Sequence, residues 1–295
     1  MRYTVFTPTY NRKSLLERLY LYLRSEQYPD MEWIIVDDGS TDDTKEFVEA
    51  ITDNVVFSIR YFFQNNKGKY SAFNKAIEEA KGDYFICIDS DDLYINHAFT
   101  TLDKYIPLIK ENNAGLCYLS SYINDTGIVI GDSFPERLKE ANLIDIQYKY
   151  RIHGDKGILH RTEVLKKYRF PIIESEKFIT ETVLYGQISK DYTYILINEI
   201  IELKDYQDNG LSKNYRKLMI TNPKGALINY SIIESFNIKG IYLIKTLIGL
   251  SSTAFYLKED YMRIIHESRH KKLLCLLTPI GFVYRLLCMK RFDSN

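Results

Sequence analysis

Asp89, Asp91 and Asp92 place three carboxylates within four residues, directly after the apolar run Tyr84-Phe85-Ile86-Cys87-Ile88. Left without partners, such groups repel and raise one another's pKa. A hard divalent cation bound through oxygen, Mg²⁺ or Mn²⁺, removes that repulsion and takes its other ligands from water and substrate phosphate. A solvated acidic turn is the plain alternative, and the strand-like run ahead of the cluster weighs against it. A second acidic run, Asp37-Asp38-Gly39-Ser40, also follows an apolar segment. There Asp38 suits a base N–H and Asp37 suits ribose hydroxyls. Ser40, with Asp43 three residues on and Phe47, Val48 and Ile51 beyond, resembles a helix N-cap. Lys67 and Lys69 flank Gly68 and offer positive charge to a nucleotide or its diphosphate, although a loop lysine is otherwise simply solvated.

Alternating elements must carry these groups. Four short apolar runs predict buried strands: Tyr3 to Phe6, Trp33 to Val36, Val55 to Phe63 and Tyr84 to Ile88. Helical spacing separates them. Leu15, Leu16, Leu19, Tyr22 and Leu23 share one face, as do Ala72, Phe73, Ala76, Ile77 and Ala80, with Gly82 as a stop. Strand and helix in alternation imply a mainly parallel α/β sheet with right-handed crossovers. The polar clusters follow the strands: Thr7-Pro8-Thr9-Tyr10-Asn11-Arg12, Asp37 to Asp42, Asn65 to Lys69, and Asp89 to Asp92. Ligands of open α/β sheets bind beyond the carboxyl ends of the strands, so all four clusters are expected on one rim.

Bulk composition is that of a folded globular chain of 295 residues, 45% hydrophobic and 26% charged. Basic and acidic residues balance at 39 each, so no whole-chain field favours nucleic acid. The 25 tyrosines fit A+T-rich codon usage and a low-GC bacterium better than a dedicated groove. Cys87, Cys117, Cys275 and Cys288 lack metal-site spacing, and Cys87 and Cys117 sit in apolar runs. A reduced, cytoplasmic compartment fits. The N-terminus runs directly into a strand and resembles no signal peptide.

Five of these stretches, in order and spacing over roughly residues 3–100, resemble glycosyltransferase family 2, the GT-A fold family that uses nucleotide sugars. They are Thr7 to Arg12, Val36 to Thr44, Asn66-Lys67-Gly68, Ala72 to Ala76 and Gly82 to Asp92. The resemblance implies a GT-A (Rossmann-like) sheet flanked by helices and a pocket for the nucleotide lined by Thr7, Pro8, Thr9 and Asn11. It implies a uracil contact by Asp38 and a metal- and ribose-binding motif at Asp89, Asp91 and Asp92, with Asp91 or Asp92 as the direct metal ligand. Later, Gly154 to Gly157, His160 to Leu165 and Phe170-Pro171 resemble the stretch before the acceptor region. Relatives commonly follow with a Glu-Asp pair whose second carboxylate is the general base. Here the pair is Thr180-Glu181, which leaves Glu181 as the one carboxylate at that position. The residues alone also place Glu181 in a first helical turn, where the dipole favours it. Tyr206-Gln207-Asp208-Asn209-Gly210-Leu211-Ser212 resembles a late loop that closes over the donor.

What this implies is an inverting hexosyltransferase using a UDP-sugar and Mn²⁺ or Mg²⁺. Its acceptor would be a hydroxyl of a growing bacterial surface glycan or lipid-linked saccharide, a role in polysaccharide biosynthesis. Residues 1–211 would be the GT-A domain, with 1–100 the nucleotide-sugar half and 101–211 the acceptor half, and 212–295 a helical extension. Two other classes compete. A sugar nucleotidyltransferase would want a glycine-rich basic loop after the first strand, and Thr7 to Arg12 contains no glycine. A non-catalytic nucleotide-sugar binder or scaffold is kept open by the Thr180-Glu181 departure. The five histidines show no ligand pattern.

The last segment is basic. Arg269 to Arg291 holds six Lys or Arg and no Asp or Glu, around apolar runs broken by Pro279 and Arg285. The runs are short for a span. A basic amphipathic segment on an anionic membrane, at the inner face of the plasma membrane, fits better. The alternative is a helix packed on its own domain or on a second copy in a homo-oligomer.

Overall fold

The computed structural model describes residues 1–52, 55–207, 210–258 and 261–293, with the side chains of 211, 212 and 289–293 outside the description. The first third alternates as the spacing predicts: β1 (Tyr3–Thr9), α1 (Lys13–Glu26), β2 (Met31–Asp37), α2 (Thr44–Ile51), β3 (Ser58–Phe63), α3 (Lys69–Glu79) and β4 (Tyr84–Cys87). The middle third contains β5 (Leu93–Tyr94), α4 (Ala98–Tyr105), β6 (Asn113–Tyr122), β7 (Asp125–Val129), β8 (Glu140–Ala141), α5 (Leu143–Tyr148), β9 (Lys156–Arg161) and α6 (Thr162–Leu165). Then come α7 (Thr182–Ile188), β10 (Thr193–Lys204), α8 (Leu211–Thr221), α9 (Pro223–Glu234), α10 (Gly240–Leu257), α11 (Tyr261–Glu267) and α12 (Lys271–Asp293).

One sheet runs in the order β3-β2-β1-β4-β9-β6-β10-β5, with β7 on β6 and β8 on β10. Strands β1 to β4 are mutually parallel. Strand β9 lies antiparallel between β4 and β6, which returns β6 and its parallel neighbour β10 to the direction of β4. The carboxyl end of β10 therefore reaches the same rim as those of β1 to β4. Helices cover both faces. Leu16, Leu19 and Leu23 of α1 pack with Trp33, Ile35, Val48 and Phe99 on one side. Phe73 and Ile77 of α3 pack with Phe6, Phe85, Val183 and Leu184 on the other. The three α1 leucines are fully buried, each contributing ~1.5–3 kcal/mol of burial free energy.

Three local expectations are corrected. Strand β3 begins at Ser58 rather than Val55. Helix α2 starts at Thr44, with Asp43 at the N-cap position, and the Asp42 carboxylate accepts from Thr44 N and Oγ1, so Ser40 is free of capping duty. Helix α3 ends before Gly82, whose role is close approach: a Cβ there would lie 2.5 Å from Thr4 N.

The C-terminal helices have their own small core of Leu247, Leu250, Ala254, Ile264, Leu274 and Leu277. They are fastened to the sheet domain by polar clamps. Glu176 is buried, and its carboxylate accepts from Lys224 N at 2.7 Å and Gly225 N at 2.8 Å, capping the start of α9. Asn222 Oδ1 accepts from Lys177 N and Phe178 N, and Thr180 Oγ1 donates to Asn229. Helix α10 is, among the described residues, the one helix long and apolar enough to cross a membrane, and 44% of its apolar window is buried inside the protein. Helix α12 runs through Pro279 without ending.

Candidate active site

The loops that follow β1, β2 and β3 lock to one another at the rim. Asn11 adopts a left-handed conformation, φ 51°. Its N–H donates to Ser40 Oγ at 2.8 Å and its Oδ1 accepts from Thr41 N at 2.7 Å. Asp38 organises the third loop. Oδ1 accepts from Lys67 N and Gln64 Nε2, both at 2.7 Å, and Oδ2 from Gly68 N at 2.8 Å. Gly68 has φ 93°, and a Cβ on it would sit 1.9 Å from the Lys177 carbonyl oxygen. That glycine lets the 64–68 loop lie against the segment that leads to α7.

Residues expected to line the pocket divide accordingly. Pro8 is half-buried and Asn11 exposed at the rim. Thr9 is buried, its hydroxyl without a hydrogen-bond partner in the described structure. Thr7 is corrected. It is fully buried and its Oγ1 accepts from Trp33 Nε1 at 3.0 Å, because strand alternation turns its side chain into the core. Asp37 is buried, and its two oxygens accept from Ser40 N and Tyr61 OH at 2.7 Å each. Asp38 stands at the rim with its carboxylate engaged three times by the loop after β3. Lys67 is exposed.

The acidic cluster does assemble. Ligand-type oxygens of Asp89, Asp91 and Asp92 all lie within 4.8 Å of one another. Each carboxylate also meets a cation. Lys69 Nζ is 2.7 Å from Asp89, Arg12 Nη1 2.9 Å from Asp91, and Lys204 Nζ 2.8 Å from Asp92. Lys204 is shared, because it is also 2.8 Å from the buried Glu202. Burial pushes the Asp92 carboxyl up to about 7, with Glu202 and Asp89 adding to the effect and Lys204 opposing it. Burial and the Asp89 charge likewise raise Asp91. Asp89 goes the other way: burial opposes its charge, and Lys69, Lys204 and Arg12 outweigh that and hold it below the ordinary range.

Lys69 also bridges the cleft. Its Nζ lies 2.7 Å from Glu181 Oε1 and 2.7 Å from Asp89 Oδ1. Burial disfavours the ammonium, and Asp89 and Glu181 more than compensate, raising it well above the usual lysine range. Glu181 sits at the N-cap position of α7, 41% exposed and without a capping hydrogen bond. Its other oxygen is 3.5 Å from Tyr185 OH. Around the cleft, Arg12, Lys69 and Lys204 face Asp89, Asp91, Asp92, Glu181 and Glu202: three cations and five carboxylates. The residual negative charge and the all-oxygen donor set suit a divalent cation.

Sequence reasoning missed Glu202, Lys204 and Arg18. Arg18 donates to the Asp91 carbonyl and pairs with Asp205 at 2.7 Å. The signal was present at β10: two charged residues two apart in an apolar strand must share one face. In the late motif, Asp208 and Asn209 lie outside the described residues. Tyr206 donates to Asp155 and rings with Tyr122.

The sequence profile described as "Glycosyl transferase family 2" matches residues 4–173. The chain belongs to glycosyl transferase family 2. Within this family the chain is 28% identical over 169 residues to Staphylococcus aureus poly(ribitol-phosphate) beta-N-acetylglucosaminyltransferase TarS, a match covering 56% of this chain and 28% of TarS. It is 30% identical over 179 residues to the Escherichia coli UDP-Glc:alpha-D-GlcNAc-diphosphoundecaprenol beta-1,3-glucosyltransferase WfaP, covering 59% of this chain and 66% of WfaP. The chain thus spans from about a quarter to two thirds of these relatives' lengths. Among solved structures, S. aureus TarS 1-349 in complex with UDP-GlcNAc superposes with a TM-score of 0.63 at 17% identity, covering 100% of this chain and 93% of the other. The mannosyltransferase PcManGT from Pyrobaculum calidifontis in complex with GDP-Man and Mn2+ gives 0.55 at 18% identity, covering 87% and 74%. The fold is the GT-A arrangement that the sequence predicts.

Proposed function

We propose that this chain is an inverting glycosyltransferase that moves a sugar from a UDP-sugar to a hydroxyl of a bacterial surface glycan or lipid-linked saccharide. The observation that carries the reading is the Lys69 bridge. It puts Glu181, from the segment after the acceptor-side helices, across one ammonium from Asp89 of the acidic cluster. The carboxylate of Glu181 accepts the proton of the acceptor hydroxyl as that oxygen bonds to the anomeric carbon. The bond from that carbon to the donor diphosphate breaks, and the diphosphate leaves with the electron pair. A single base opposite the acidic cluster gives one displacement and inversion.

Asp91 or Asp92, with Asp89, would hold Mn²⁺ or Mg²⁺, which supplies charge neutralisation at the leaving diphosphate. Lys69 orients Glu181 and Asp89 from between them. Asp38 fixes the 64–68 loop that, with Pro8 and Asn11, forms the nucleotide rim. UDP is favoured by TarS 1-349 in complex with UDP-GlcNAc and by the UDP-Glc donor for which WfaP is named, and the lipid-linked acceptor by the diphosphoundecaprenol in the same name. The reading places the protein at the cytoplasmic face of the membrane, with 1–211 as the transferase domain and 212–295 as its helical extension.

Titration calorimetry with UDP, GDP, TDP and CMP, with and without Mn²⁺, followed by a panel of activated sugars, tests the proposal. Metal-enhanced UDP binding and transfer from a UDP-sugar are expected. Equal, metal-indifferent binding of all four nucleotides would remove it.

A further inference from the structure

A pocket of about 210 Å³ lies among α8, α9, α10 and α12, away from the transferase cleft. Arg216, Arg285, Ser252, Thr253 and three tyrosines supply its polar lining, and none of its lining residues is acidic. Arg285 is the unusual member. It is 6% exposed. Its Nη2 donates to the Ile220 carbonyl at 2.9 Å, its guanidinium stacks 3.9 Å from the Tyr256 ring centroid, and its Nε has no hydrogen-bond partner. Among the described residues no carboxylate pairs with it. A guanidinium stays charged in proteins, and a buried charge without a counter-ion is costly. A cavity lined by two arginines and several hydroxyls is the complement of an oxyanion.

The outward face of α12, turned away from Arg285, is apolar. On α12, Leu276, Ile280, Val283 and Leu287 are 72%, 51%, 52% and 63% exposed. Their spacing of four, three and four residues makes one helical stripe. Phe255 and Phe282 meet edge to face and are also exposed. The inward face of the same helix, Leu274 and Leu277, is buried in the helical core. Thus α12 carries apolar side chains on both sides, and its Arg285 opens into the pocket instead of joining a basic outer face. Of the basic residues expected over 269–291, Lys271 and Lys272 are exposed at the start of α12 and Arg285 is buried; the side chains of Lys290 and Arg291 lie outside the described residues.

We propose that this pocket binds the phosphate of an anionic lipid headgroup, with the α12 stripe resting on the acyl region. Arg285 and the rim residue Arg216 take the phosphate oxygens, and the exposed leucine, isoleucine and valine side chains leave water together. The site is independent of glycosyl transfer.

The test is co-sedimentation of the full chain with phosphatidylglycerol and with phosphatidylcholine vesicles, alongside thermal shifts in inorganic phosphate. Preferential binding to phosphatidylglycerol is expected. Arg285→Met and Val283→Glu should each weaken it at least tenfold, and Arg216→Ala, at an exposed position, several-fold with an unchanged Tm. If Arg285→Met fails to fold, the other two variants decide. Equal pelleting with both lipids overturns the proposal, as does wild-type binding by Arg216→Ala and Arg285→Met. Stabilisation by inorganic phosphate without vesicle binding overturns the lipid source and assigns the pocket to a free anion. Self-association abolished by Val283→Glu, without vesicle binding, overturns it in favour of a second copy of the chain.

Discussion

Replacing Asp92 by asparagine isolates a titration that falls near neutral pH. Asp92 is 5% exposed and shares the Lys204 ammonium with Glu202. One cation between two buried carboxylates leaves one of them favouring its proton, and burial first, then Glu202 and Asp89, carry Asp92 from 3.8 to about 7. The folded carboxyl therefore holds its proton more tightly than the unfolded chain does. Its contribution to stability is fully present below about pH 4 and is lost as pH rises through about 7. That displacement is worth ~4 kcal/mol at ~1.4 kcal/mol per pKa unit, or on the order of 5–10 °C in Tm for a chain of this size. Asp89, whose pKa is lowered, loses its contribution only below its ordinary value and so leaves this window clear. Thermal unfolding from pH 4.5 to 8 is the assay. Wild type should lose stability relative to Asp92→Asn across the window, and the two curves should flatten together above it. Calorimetry of Mn²⁺ binding in two buffers of different ionisation enthalpy gives a second reading: close to one proton released per ion near pH 6 and almost none near pH 8. Parallel stability curves for wild type and Asp92→Asn, with no proton release at either pH, would refute the assignment of the shared ammonium.

Glu181→Gln should lower turnover by about 10²–10⁴-fold while the calorimetric UDP affinity stays within about twofold; a wild-type rate would remove Glu181 as the base. Gly68→Ala forces a left-handed alanine against the Lys177 carbonyl, and chemical denaturation should show a loss on the order of 3 kcal/mol together with weakened UDP binding. Glu176→Ala uncaps α9 by stranding two backbone N–H groups. About 1–3 kcal/mol should be lost, with faster hydrogen exchange at Lys224 and Gly225.

The parallel alternation of β1 to β4 with helices and the convergence of their loops were legible because each strand is a short apolar run closed by a polar cluster; their order in the sheet was not. The antiparallel insertion of β9 was not. Its residues 156–161 read as an ordinary motif, and only pairing with both β4 and β6 reveals why β10 reaches the rim. Thr7 was misread because a motif was taken as a lining, whereas alternation along β1 turns that hydroxyl toward Trp33. Asp38 was placed at the right rim, but its carboxylate fastens a loop, a task set by N–H groups 29 and 30 residues further on. The link between Asp89 and Glu181 rests on contacts across the fold, between residues 69, 89 and 181. Arg285 read as an interruption of an apolar run, yet its burial is what defines the second pocket.

The clamps from Glu176, Asn222 and Asn229 straddle the boundary drawn at residue 211. Cutting the chain there would strip partners from the peptide 176–180, whose last residue adjoins Glu181. The helical extension is thus a wall of the same room: transferase core and helices should melt as a single cooperative unit, and Glu181 is only as well aimed as α9 is anchored.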